Sequence, residues 1–323
     1  MDYALAIGGF VLLFLGGESL VRGAVGLARR FDTSPLFTGL VVVGFGTSAP
    51  EFVVCLEAAL RGQYDITVGN IVGSNIANIM LILGLVALVQ PVISRPSILR
   101  RDGFAMLAAS VLLVGLAFAG GISRWMAVAM LAVLIGFIAY CFRGERNNGE
   151  VKGYEDEIED LGRLPHRLPL ALLASAIGIA MLVFGSRMLV GGATGIAREA
   201  GVSEAVIGVT LVAVGTSLPE LAAALVAAWR RHADVALGNV LGSNVFNVFG
   251  MLALTALIEP VAISREFLTL DLWVMLGVSC LLLVFMKTGY RVNRMESGVL
   301  LAGYAAYVAL LLGPYGGAAA MHL

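Results

Sequence analysis

Ionisable side chains are scarce in this sequence. Only 13% of its 323 residues are Asp, Glu, Lys or Arg, the two signs nearly cancel at a net charge of -1, and there are three histidines. Without a basic excess, nothing argues for a nucleic-acid partner. The three cysteines, Cys55, Cys141 and Cys280, form an odd set lying in or at the ends of apolar runs. That excludes a disulfide framework and reads as membrane-buried thiols. His166, His232 and His322 fall in loops or the C-terminal tail, so a soft-metal centre has no ligands to draw on. No Gly-x-Ser-x-Gly run and no buried histidine suggest an enzyme.

What the chain has is apolar length. With 59% hydrophobic residues and a mean hydropathy of +0.93, it carries more apolar surface than a soluble core of this size can cover. About 20 apolar residues cross a ~30 Å hydrocarbon layer. Ten such segments fit, at roughly 3–28, 35–60, 66–90, 103–120, 123–142, 169–194, 204–229, 235–258, 269–287 and 295–313. The first runs past the length of a signal h-region and contains Glu18 and Arg22, so it counts as a span. The longest polar interval, 143–168, divides the spans five and five. Its acidic run at 155–160 lacks a D-x-D-x-D-G loop and reads as solvated charge. With the N-terminus outside, fifteen of the 21 Lys and Arg fall on the inner side. Four fall outside (Arg61, Arg124, Arg198, Arg265) and two within spans (Arg22, Arg187). This bias predicts both termini outside and the 143–168 loop in the cytoplasm.

The halves are copies. A shift of 169 residues carries Gly46-Thr-Ser-Ala-Pro-Glu51 onto Gly215-Thr-Ser-Leu-Pro-Glu220. The same shift carries Gly69-Asn70 onto Gly238-Asn239, Gly73-Ser74-Asn75 onto Gly242-Ser243-Asn244, Asn78 onto Asn247 and Asp102 onto Asp271. An odd number of spans per copy makes the copies enter the membrane from opposite sides, which is the inverted repeat of secondary transporters. The expected fold is an all-α polytopic membrane protein of ten transmembrane helices, built as two inverted five-helix repeats with broken core helices. The first repeat occupies 1–142 and the second 169–323, joined by the 143–168 loop.

Two patterns carry chemistry. Within 46–51, Gly44 and Gly46 loosen a helical turn and Pro50 frees the carbonyl of Gly46. Thr47 and Glu51, four apart, share one face. An intramembrane Glu is a functional hypothesis by default. A proline kink with its Glu bonded to a neighbouring helix explains one copy, but two symmetric copies read as a cation site. Asn70, Ser74 and Asn78 make a polar stripe on an otherwise apolar helix, matched by Asn239, Ser243 and Asn247. Such stripes also glue helices together, while their amide and hydroxyl oxygens suit hard cations such as calcium. Asn75 and Asn244 point about 100° off the stripe and read as structural.

The paired motifs 46–51 with 69–78 and 215–220 with 238–247 resemble the alpha repeats of the calcium/cation antiporter superfamily, closest to its bacterial-type sodium/calcium exchanger branch. The repeats so identified run over 39–85 and 208–254, and the five-plus-five layout matches over essentially the whole chain. The resemblance implies Ca2+ for Na+ antiport by alternating access in a plasma (inner) membrane, with no cofactor and no required oligomer. It implies ions at Thr47, Ser48, Glu51, Ser74 and Asn78, and at Thr216, Ser217, Glu220, Ser243 and Asn247, with backbone carbonyls from Gly44 and Ala213. The position of Asn247 is typically Asp in that branch. Here only two deep acids remain, enough to neutralise one Ca2+ or two monovalent cations. A lower sodium stoichiometry is therefore expected, and the counter-ion stays open between Na+ and H+. Ca2+/H+ or other divalent/H+ antiport is the alternative, and a cation channel the reading from another class. Of the remaining charges, Glu18 and Arg22 are expected to pair at i, i+4, and Glu57 to lie near the outer mouth.

Overall fold

A computed structural model of the chain describes residues 1–148, 167–199 and 213–312. The described residues are helical apart from turns and four two-residue strands. We number the helices α1 (Asp2–Phe31), α2 (Pro35–Thr47), α3 (Ala49–Leu60), α4 (Tyr64–Val89), α5 (Pro96–Phe118), α6 (Arg124–Asn148) and α7 (Leu168–Glu199). Then follow α8 (Ala213–Thr216), α9 (Leu218–Trp229), α10 (Ala233–Ile258), α11 (Asp271–Lys287) and α12 (Arg294–Leu312). Six of them, α1, α4, α5, α6, α7 and α10, are long and apolar enough to cross a membrane. The pair α2 and α3, bent by 44° at a one-residue break, makes a seventh. The protein is thus a multi-pass, all-helical membrane protein. Helices α11 and α12 lie where the ninth and tenth spans are expected. The expected 204–229 span is described only from residue 213, and most of the 143–168 loop lies outside the described residues.

One boundary moves for a physical reason. Helix α5 starts at Pro96 and not at 103, with the proline in its first turn, where a missing N–H costs nothing. Arg100, Arg101 and Asp102 are then helical. Asp102 is buried, and Arg101 forks onto it, Nε to Oδ1 at 2.9 Å and Nη2 to Oδ2 at 3.0 Å. Helices α2, α4, α5 and α10 each contain a π-helical stretch, at Gly39–Val43, Asn78–Ile82, Leu99–Gly103 and Asn247–Leu252. Hydropathy does not signal these wider turns.

The chain divides into two compact units, each drawing on both halves of the sequence. The first comprises Met1–Pro50 and Cys141–Asn239. Its long helices α1 and α7 pack antiparallel along their length through glycines. A Cβ on Gly178 would lie 2.6 Å from the backbone nitrogen of Leu20 and 2.8 Å from the carbonyl of Gly16. One on Gly185 would lie 2.9 Å from the carbonyl of Gly9. Under the 169 shift Gly9 corresponds to Gly178 and Gly16 to Gly185, so this crossing is reciprocal, as contacts about a two-fold axis are. Glu18 pairs with Arg22 as expected. It also accepts from Arg230 Nε at 2.7 Å, a partner 212 residues away that no local pattern announces. His232 corrects the expectation of no buried histidine. It lies in the turn between α9 and α10 as expected, but a loop position does not fix exposure, and it is buried. That burial together with the Arg29 guanidinium holds its imidazole below its ordinary range.

The second unit comprises Glu51–Tyr140 and Val240–Leu323. Strands β1 (Val92–Ile93), β2 (Gly121–Ile122), β3 (Val261–Ala262) and β4 (Arg291–Val292) pair antiparallel as β1 with β4 and β2 with β3. These are short loop-to-loop clasps that the all-helical expectation lacked. They too are reciprocal: Val92 faces Val292 while Val261 faces Ile122. Arg124 Nε donates to the Leu257 carbonyl at 3.2 Å, and Arg294 Nε donates to the Leu88 carbonyl at the same distance. Ser110 and Ser279, equivalent under the shift, share a hydroxyl–hydroxyl hydrogen bond of 2.9 Å. Glu57 pairs with Arg61 on an exposed surface, a contact worth little to stability.

Candidate cation site

In the first unit both Gly-Thr-Ser motifs interrupt a helix at the serine. Ser48 has φ -80, ψ 3 between α2 and α3, and Ser217 has φ -90, ψ 6 between α8 and α9. The sequence puts the weak point at the turn from Gly46 to Pro50. The structure centres it on Ser48 and uses Pro50 and Pro219 in the first turn of the new helix. Proline is tolerated there because that N–H would have no intrahelical partner in any case.

Thr47 is buried, its Oγ1 donating to the Val43 carbonyl at 3.0 Å with Asn239 Oδ1 at 3.4 Å. Ser48 Oγ donates to Glu220 Oε1 at 2.9 Å, and Asn239 Nδ2 donates to the backbone carbonyl of Glu220 at 3.2 Å. The two motifs are therefore joined by Thr47, Ser48, Asn239 and Glu220. Glu220 is 2% exposed, Ser217 is buried and Thr216 half-buried. Gly44 is buried, and Ala213 opens α8. The carbonyl of Gly215, in the last turn of α8 before the break at Ser217, accepts from Ser186 Oγ on α7 at 2.5 Å. The first-half counterpart of Ser186 is Gly17, which has no hydroxyl to offer.

In the second unit Glu51, on α3, is 1% exposed. Ser74 and Asn78 on α4 and Ser243 and Asn247 on α10 are all buried. Asn78 and Asn247 each open a π-helical stretch, a local widening that recurs at functional sites. Asn247 Nδ2 donates to Asn75 Oδ1 at 2.8 Å. Asn75 Nδ2 lies 3.5 Å from the Asn244 carbonyl, and Asn244 Nδ2 donates to the Val240 carbonyl at 2.7 Å. The amide oxygens of Asn78, Asn244 and Asn247 are buried with no hydrogen-bond partner among the described residues. Orphaned buried amide oxygens are costly, and hard cations take such oxygens as ligands. Cys55 is fully buried, with its thiol toward the Thr67 carbonyl at 3.7 Å.

Two residues gain importance beyond the sequence reading. Asn239 was legible only as part of a stripe, and Asn75 read as structural. Their recurrence in the doublets Gly69-Asn70 and Gly238-Asn239, and Gly73-Ser74-Asn75 and Gly242-Ser243-Asn244, was the available signal.

The sequence matches the family described as sodium/calcium exchanger protein over residues 1–143 and 170–313. The chain belongs to that family. Among similar proteins, the inner membrane protein YrbG of Escherichia coli (strain K12) is 36% identical over 312 residues, covering 95% of this chain and 96% of that one. The putative antiporter CaxA of Alkalimonas amylolytica is 36% identical over 315 residues, covering 94% and 96%. The sodium/calcium exchanger MaX1 of Methanosarcina acetivorans is 31% identical over 344 residues, covering 96% and 98%. A solved structure of the sodium-calcium exchanger NCX_Mj superposes with a TM-score of 0.80 at 29% identity, covering 96% of this chain and 98% of that one. As a member of the exchanger family the protein is a cation/Ca2+ antiporter, a transporter and not an enzyme.

Proposed function

We propose that the protein exchanges Ca2+ for Na+ by alternating access. Its ions bind at Thr47, Ser48, Glu51, Ser74 and Asn78 and at Thr216, Ser217, Glu220, Ser243 and Asn247, with carbonyls from Gly44 and Ala213. The observation that carries this reading is the doubled acid: Glu51 and Glu220, in equivalent motifs, are 1% and 2% exposed inside an apolar chain. A buried carboxylate in a membrane is costly unless a cation meets it. All the proposed ligands are oxygens, which suits Ca2+ and Na+. The reciprocal contacts of α1 with α7, of the strand clasps and of Ser110 with Ser279 favour ten spans in two inverted five-span repeats. The basic-residue bias favours both termini outside and the 143–168 loop in the cytoplasm.

Uptake of 45Ca2+ by proteoliposomes tests the reading, with an outward Na+ gradient in one arm and an outward H+ gradient in the other. Uptake driven by Na+ and not by H+ is expected. Uptake driven by H+ alone would replace the counter-ion with H+. Ca2+ flux that persists with no counter-ion on the opposite side would overturn exchange in favour of a channel.

A further inference from the structure

We propose that Asn75 is the positioning residue that turns the side-chain amide of Asn247 oxygen-first for cation binding. The proposal rests on Asn247 being an ion ligand and adds how that ligand is oriented.

A primary amide offers a donor at one end and an acceptor at the other, and a cation takes only the oxygen. Which end is presented depends on what meets the nitrogen. Asn247 Nδ2 donates to Asn75 Oδ1 at 2.8 Å, and both side chains are buried. That leaves Asn247 Oδ1, which has no hydrogen-bond partner among the described residues. The polarity of Asn75 is set from behind, because its own Nδ2 faces two acceptors, the Asn244 carbonyl at 3.5 Å and Met275 Sδ at 3.9 Å. Asn75 therefore points its oxygen at Asn247, and Asn247 must answer with its nitrogen.

The device is present on one side only. Asn244 is the counterpart of Asn75, but its Nδ2 turns to the Val240 carbonyl on its own helix at 2.7 Å. An aspartate at 247 would set its carboxylate against Asn75 Oδ1, acceptor against acceptor, unless Asn75 reversed. An amide at 247 needs no reversal.

The test is Ca2+ binding to the purified, detergent-solubilised full chain by titration calorimetry, with Na+ competition as a second reading. Asn75→Leu removes the acceptor and Asn75→Asp keeps it. Loss of one oriented buried hydrogen bond predicts about tenfold weaker Ca2+ binding for Asn75→Leu. Asn75→Asp should bind within about threefold of the parent, since its carboxylate can accept from the same amide. If Asn75 acts through Asn247, Asn75→Leu adds no further loss in an Asn247→Ala background. Should Asn75→Leu fail to fold, Asn75→Ala carries the same cycle. Unchanged binding in Asn75→Leu and Asn75→Ala, a loss in Asn75→Asp as large as in Asn75→Leu, or losses that add in the double variant, would overturn the proposal. If Asn247→Ala alone binds Ca2+ and Na+ like the parent, the ligand reading of Asn247 falls and the inference falls with it.

Discussion

At the residue scale the proposed site rests on two carboxylates, Glu51 and Glu220, each carried on the first turn of a helix that restarts after a serine break. Gln has nearly the same shape as Glu and accepts the same hydroxyl donor through its carbonyl, so Ser48 Oγ can still donate at position 220. What Gln lacks is the charge that offsets a cation's desolvation. Glu51→Gln and Glu220→Gln are each expected to lower 45Ca2+ exchange at least about 100-fold, the order expected when a buried ion loses its counter-charge. Both variants should still insert and elute as folded protein on gel filtration. Robust exchange by either one would refute its assignment. Both acids were legible because a doubled Glu in an apolar run has no ordinary explanation. Their hydrogen-bond partners were not, since Ser48 and Glu220 stand 172 positions apart in the chain.

At the scale of elements, the helix breaks follow from local chemistry and the α1·α7 crossing from a spacing of glycines whose purpose only packing reveals. Gly178 meets the backbone of α1, whereas Gly191 on the same helix has nothing within 4 Å of a Cβ among the described residues. Gly178→Val must push α1 and α7 apart and is expected to cost about 2–3 kcal/mol or more, as overpacking does. Gly191→Ala is expected to be neutral or to stabilise by up to about 1 kcal/mol, as Ala does over Gly in a helix interior. Thermal unfolding midpoints of the two variants in detergent check the contrast. Equal midpoints would mean that the crossing does not limit stability. The early start of α5 shows the same division of labour. Arg100, Arg101 and Asp102 read as a loop on hydropathy, yet they continue a helix that starts at Pro96, with the Asp102 carboxylate held in the Arg101 fork.

At the scale of the whole molecule the question is charge balance. Position 247 carries an amide, so the proposed site holds two acids, and two carboxylates balance one Ca2+ or two Na+. One Ca2+ moved against two Na+ transfers no net charge. A K+/valinomycin diffusion potential imposed on proteoliposomes is therefore expected to leave the initial rate of Na+-driven Ca2+ uptake unchanged. A clear dependence on that potential would show that more than two monovalent charges accompany each cycle.

The sequence by itself determined the multi-pass helical class, the two motifs, their 169-residue repeat and the two acids. These follow from hydropathy, proline chemistry and self-similarity, which are properties of neighbouring residues or of the chain compared with itself. Only the tertiary structure decided which polar atoms meet. Ser186 meets the Gly215 carbonyl, Arg230 joins Glu18, and Asn75 takes the amide of Asn247. A helical period can place an amide on a face but cannot say which of its ends is free. That depends on the donor or acceptor packed against it, and here the decisive partners lie on other helices.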